Sequence, residues 1–327
     1  MRSRFALLAF ALTGLVTTTS TFALDLGSPA PALQISEWAK GNAQSLRAGK
    51  GKNVFVVEFW ATWCGPCKMS IPHLTEMQAK YKDKGLVVIG ITDEQPGVVK
   101  EFLQKMGDKM QYTVAIDKAH ATTKAYMGGF GARGIPFACV VDKAGLIIWN
   151  GNPLDGLDEV IDQVMEGKYD LEAAKQGRKA EKRADVYFSL IPRADAAKTA
   201  DGKAKMLKDA RRIGDEVVTL AAKSPNVLNS FAWTILTDEK FKNRDVELAL
   251  KAAQKAVELT ENKNPNILDT YARALWDSNR KEEALKIQRQ AVELEKTPAG
   301  KAALKKTLQT YERELKSAET PAAKPAK

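Results

Sequence analysis

Two cysteines three residues apart, in Cys64-Gly65-Pro66-Cys67, are the residues of this 327-residue chain best suited to chemistry. On a helix, positions i and i+3 share a face, so the two sulfurs come within reach of a disulfide. The apolar run Val54–Trp60 reads as a strand ahead of the pair, and a helical stretch follows it. Cys64 therefore falls at a helix N-terminus, where unpaired N–H groups and the positive end of the dipole favour a thiolate. Such a thiolate attacks a disulfide, and Cys67 resolves the mixed disulfide from one turn further on. Pro66 suits a first helical turn, because the N–H it lacks needs no partner there. A CxxC can also be half of a zinc site, which requires further ligands. The chain offers only Cys139, His73 and His120, none paired at a ligand-like spacing, so neither metal nor cofactor is expected.

The elements that must hold this pair follow from the texture of the chain. Val54–Trp60, Leu86–Thr92, Thr113–Asp117, Phe137–Asp142 and Leu146–Trp149 read as strands, with helical patterns at Val98–Met106 and Ala119–Met127. Strands separated by helices predict βα units and a mixed sheet, an α/β fold class. Beyond Gly167 the β-like runs vanish and Ala, Leu, Lys and Glu dominate, so an all-α region follows. The net charge of +10 divides at the same place. Residues 24–167 carry 15 Lys and Arg against 16 Asp and Glu, while 168–327 carry 33 against 24. The excess is spread in alternating signs over helical sequence, which is the habit of a solvated face rather than a nucleic-acid surface. A mean hydropathy of −0.31 argues against a polytopic membrane protein.

Residues 1–23 read as a secretory leader. Arg2 and Arg4 precede the apolar stretch Phe5–Val16, and Thr21-Phe22-Ala23 puts small residues at −3 and −1 of a cut before Leu24. The stretch is short of the ~20 residues a spanning helix needs, so no membrane anchor is expected to remain after cleavage. A periplasmic location follows, where dithiol–disulfide chemistry has substrates.

The segment Phe59-Trp60-Ala61-Thr62-Trp63-Cys64-Gly65-Pro66-Cys67-Lys68, with Pro72 five residues after the second cysteine, resembles the active site of the thioredoxin superfamily. Within it, residues 25–165 are most similar to the extracytoplasmic TlpA/ResA-type thiol–disulfide oxidoreductases, with their β–α insertion after the helix and the late Gly134-Ile135-Pro136 before a strand. The resemblance implies a thioredoxin fold and redox catalysis by Cys64 and Cys67. It makes Pro136 the counterpart of the family's cis-proline, and Trp63, Gly65, Pro66 and Ile135 the substrate-contacting positions. Glu58 matches the acid beneath the cysteine pair, with Glu in place of the commoner Asp. A carboxylate in a strand covered on both faces is costly unless it has a task. Burial would raise its pKa and let it relay the proton of Cys67; the alternative is a carboxylate reaching solvent or a salt bridge. Cys139, mid-strand, reads as a core thiol.

The helical half carries a self-similarity. Leu228–Leu236 matches Leu268–Trp276, and Ala256-Val-Glu-Leu259 recurs as Ala291-Val-Glu-Leu294. Ala232, Ala249, Ala256, Ala272, Ala284 and Ala291 fall where tetratricopeptide helix pairs approach closely, although an unrelated bundle shares the periodicity. The expected organisation is a leader (1–23), a thioredoxin-like domain (24–167), a helical linker (168–200), a tetratricopeptide-like domain (201–318) and a disordered tail (319–327). The Gly-Pro dipeptide between the cysteines implies a reductase of protein disulfides recharged by a redox donor. A disulfide isomerase, or a helical adaptor with a vestigial redox domain, is the alternative. A helical half of this kind would bind a protein partner or self-associate.

Overall fold

The computed structural model describes residues 23–319. The expected leader and tail lie, but for Ala23 and Glu319, outside them. The chain divides into two compact units between Tyr169 and Asp170.

In the first unit six strands form one mixed sheet in the order β1-β4-β3-β2-β5-β6. They are β1 (Ile35–Lys40), β2 (Val54–Phe59), β3 (Leu86–Thr92), β4 (Thr113–Asp117), β5 (Phe137–Val141) and β6 (Ile147–Gly151). β2, β3 and β4 run parallel, linked by α1 (Gly65–Tyr81) and α2 (Pro96–Met106), while β1, β5 and β6 pair antiparallel. β2 is central, and all six of its residues are buried. Side chains alternate along a strand. Phe55, Val57 and Phe59 join the core on one face with Ile89, Ile91 and Tyr126, which turns Val56 and Glu58 towards the other.

Two elements have no counterpart in the sequence reading. β1, with Glu37 and Lys40 among its six residues and two register shifts against β4, is an edge strand whose polar residues mask the alternation. The short helix α4 (Leu157–Met165) buries only Leu157 and Ile161 fully. The helix expected from Ala119 begins two residues later, as α3 (Ala121–Thr123) running into a wider turn at Lys124–Gly128. Ala119 and His120 are left-handed, and the Asp117 carboxylate accepts the N–H groups of Thr122 and Thr123 at 2.9 and 2.8 Å, capping the turn from the strand end.

The second unit is helical: α5 (Leu171–Asp195), α6 (Ala200–Leu220), α7 (Pro225–Thr237), α8 (Val246–Leu259), α9 (Pro265–Asp277), α10 (Lys281–Leu294) and α11 (Pro298–Glu319). The stretch 168–200, expected as a helical linker, is helical for most of its length as α5, and that helix belongs to the core of this unit. Gly177, Ala180, Ala184, Tyr187, Ile191 and Ala194 recur every three or four residues and are buried against α6 and α7. Its dense charges lie between those positions and disguise an amphipathic helix. The six repeated alanines are all buried, in the consecutive pairs α7–α8 and α9–α10. Gly214 of α6 shows how tightly these helices meet: a Cβ there would lie 2.2 Å from Leu248 Cδ2. Gly214→Ala is therefore expected to destabilise the helical unit by about 1–3 kcal/mol, measurable by chemical denaturation of the full chain.

Candidate functional site

β2 ends at the centre of the sheet, and its chain turns through Trp60–Trp63 into α1. Cys64 is the N-cap of that helix, and Pro66 stands in its first turn. Cys64 and Cys67 form a disulfide with 5.2 Å between their Cα atoms. The Cys67 N–H, one of the donors the helix end leaves without an intrahelical partner, points at Cys64 Sγ, 3.1 Å away. Cys67 is fully buried and Cys64 retains 4% of its surface. Gly65, Pro66 and Lys68 are exposed, and Trp63 stands out with 73% of its surface in solvent.

The turn is anchored by a residue that no motif or spacing singles out. Glu94, just past β3, accepts both the backbone N–H and the hydroxyl of Thr62, each at 2.7 Å. This two-pronged contact fixes the residue before Trp63 to the end of a neighbouring strand.

Glu58, the acid of β2, has no exposed surface. Among the described residues no cation pairs with it; its partners are hydroxyls. Ser70 of α1 donates to Oε1 at 2.9 Å, and Tyr112, ahead of β4, donates to Oε2 at 3.0 Å. Burial pushes its pKa from 4.5 up to about 7, against the opposing pull of these two hydrogen bonds. Ser70 Oγ is also 3.0 Å from the carbonyl oxygen of Cys67, so one side chain touches both the acid and the turn bearing the inner cysteine. Tyr112 is 54 residues from Glu58 and shows no spacing that would single it out.

The third wall comes from β5. Phe137 pairs with Phe59, so the residues before β5 arrive at the same end of the sheet as the redox turn. The Ile135–Pro136 peptide is cis, Pro136 is buried and Ile135 half-buried. Ile135, Gly134 and Arg133 line a cavity of about 420 Å³ together with Trp63, Met127 and Thr123. Cys139 lies elsewhere: it is buried with Phe137 and Val141 in the core on the sheet face that Glu58 does not share. His73 pairs with Asp158 and His120 with Asp93. Among the described residues no group of three His, Cys, Asp or Glu is placed to hold a metal ion.

An oxidisable pair at a helix N-terminus, with a buried acid joined to its turn through Ser70, is suited to dithiol–disulfide exchange. A crystal structure of a thiol:disulfide interchange protein of the thioredoxin family from Chlorobium tepidum TLS matches 44% of this chain and 99% of its own, at 26% identity and a TM-score of 0.37. The family model described as Redoxin matches residues 25–162. The thiol-disulfide oxidoreductases ResA of Bacillus thuringiensis (strain Al Hakam) and Bacillus anthracis are each 33% identical over 126 residues, which is 38% of this chain and 68% of theirs. With that share of the relatives in common and the cysteine pair in bonding position, the chain belongs to the ResA thiol–disulfide oxidoreductases of the thioredoxin superfamily.

Proposed function

We propose that the protein is an extracytoplasmic reductase of protein disulfides, with Cys64 as the attacking sulfur. The observation that carries this reading is the unequal setting of the two cysteines. Cys64 is at the helix end, beside exposed Trp63, whereas Cys67 is sealed beneath it. In the reduced protein the Cys64 thiolate attacks one sulfur of a substrate disulfide, and the other sulfur leaves as a thiolate. Cys67, its proton taken by Glu58, then attacks Cys64 Sγ, which releases the second substrate thiol and leaves the Cys64–Cys67 disulfide. A dithiol donor restores the reduced pair. The cavity between Trp63 and the Ile135–Pro136 segment is where the substrate strand would lie, its backbone paired with that of Ile135. Gly-Pro between the cysteines is the thioredoxin dipeptide, whose potential of about −270 mV favours reduction of the partner. The leader-like residues 1–23 support an extracytoplasmic setting, and among the described residues no helix is long and apolar enough to cross a membrane.

For the helical unit we propose tetratricopeptide-like pairs α7–α8 and α9–α10, flanked by α6 and α11, serving to bind a partner. The first unit is proposed to carry the whole activity. A fragment ending at Tyr169, whose hydroxyl donates to the Ile148 carbonyl at 2.7 Å, should reduce insulin with dithiothreitol at a rate close to that of the full chain. A folded fragment that fails where the full chain succeeds overturns the division of labour. Failure of both removes the reductase reading.

A further inference from the structure

A hydroxyl owns one proton, and a carboxylate has two oxygens to satisfy. At Glu58 the match is complete: Ser70 Oγ is 2.9 Å from Oε1 and Tyr112 Oη is 3.0 Å from Oε2. The two hydroxyls are not equivalent. Ser70 has a second acceptor in the Cys67 carbonyl at 3.0 Å, so its proton can turn from the acid to the backbone when the acid is neutral and supplies a proton of its own. Tyr112 is buried, and burial together with the Glu58 charge holds its phenol well above the ordinary value. It therefore keeps its proton and stands as a fixed donor.

The space for this donor was made elsewhere. Glu58 is paired with Gly90 on β3 and with Ala138 on β5, the two smallest side chains available. A Cβ on Gly90 would lie 3.0 Å from Tyr112 Cε2 and 2.9 Å from Trp60 Nε1. The glycine has an ordinary φ, so clearance for the two rings, rather than backbone conformation, is what it provides. Among the described residues no charged group acts on Glu58 in this arrangement. β3 and β5 offer Gly90 and Ala138, α1 offers Ser70 and, one turn earlier, Cys67, and the segment before β4 offers Tyr112.

We propose that Tyr112, admitted by Gly90, is the positioning residue that decides whether Glu58 is charged, with Ser70 carrying that state to the turn of Cys67. The assignment rests on the reading of Glu58 as the proton acceptor for Cys67. A phenol donating to a buried carboxylate favours its ionised form, and its removal leaves the neutral acid at an advantage.

The test follows the carboxyl itself. In the oxidised full-length protein, where neither thiol titrates, the infrared C=O band of protonated Glu58 is identified by its loss in Glu58→Gln and followed against pH. Tyr112→Phe differs by one oxygen and should move the midpoint upward by about one pH unit or more. Gly90→Ala keeps the hydroxyl but displaces the ring, and should move it the same way; if that variant does not fold, Tyr112→Phe decides alone. In reduced protein, the pH profile for release of a mixed disulfide from Cys64 should shift with the midpoint. An unchanged midpoint in Tyr112→Phe overturns the proposal. A midpoint that moves while the release profile stays upholds Tyr112 as the residue that sets the charge and removes Glu58 from proton transfer.

Discussion

Cys67→Ser will trap the protein on its substrates. Cys64 keeps its place at the head of α1 and still attacks, but the resolving sulfur is gone and each encounter ends as a mixed disulfide. Resolution by a well-placed neighbouring group proceeds at effective concentrations of ~10⁵ M or above, and an external thiol at millimolar level cannot match it. Turnover in the insulin assay should fall by on the order of a thousandfold or more, while the first substrate thiol is released once, in a stoichiometric burst. The adduct should migrate as a larger species on non-reducing gels and map to Cys64. Cys64→Ser should lose both the burst and the adduct. If Cys67→Ser gives no adduct while Cys64→Ser does, the roles of the two cysteines are reversed.

Glu58→Gln will abolish a pH dependence of stability. The carboxyl titrates near 4.5 when the chain is unfolded and at about 7 in the fold, so the folded state binds the proton more tightly. Below pH 4.5 the acid is neutral in both states and costs nothing in ionisation. As pH rises towards 7 the unfolded chain ionises freely while the folded one resists, and stability declines. Above pH 7 the loss is complete, at about 3 kcal/mol from this one group. A glutamine carries no charge to bury. Its amide oxygen can still accept from Tyr112, and its NH₂ can donate to Ser70. Urea denaturation at pH 5, 6, 7 and 8 should show the parent losing stability relative to the variant across this window, with the gap greatest at pH 8. Parallel curves would mean that Glu58 finds compensation for its charge in the folded state.

The redox turn was legible because its logic is local. Two cysteines at i and i+3, a proline between them and an apolar run ahead specify a disulfide at a helix start within about a dozen residues. β3 and β4 were legible with their bounds, Leu86–Thr92 and Thr113–Asp117, because continuous apolar runs bounded by polar and glycine residues leave few alternatives. Resemblance to thioredoxins, rather than spacing, directed attention to Pro136, and Glu58 drew notice as a charge in a run that should have none.

What surrounds those residues was settled by the tertiary structure. Glu58 and Tyr112 meet across 54 residues, and Thr62 and Glu94 across 32. No periodicity links such positions; only the order of strands in the sheet brings them together. The same holds for Gly90, whose missing side chain matters because two rings converge on it. α5 looked like a connector because charges, densest over Arg178–Arg183, are interleaved with its apolar residues. Small side chains on one stripe were enough to bury it, since close approach depends on the facing helix as much as on the stripe itself. Sequence by itself determined which atoms can exchange electrons, because covalent neighbours and a single helical turn hold them. Their proton chemistry was left to the fold, because burial and hydroxyl donors come from segments far apart along the chain.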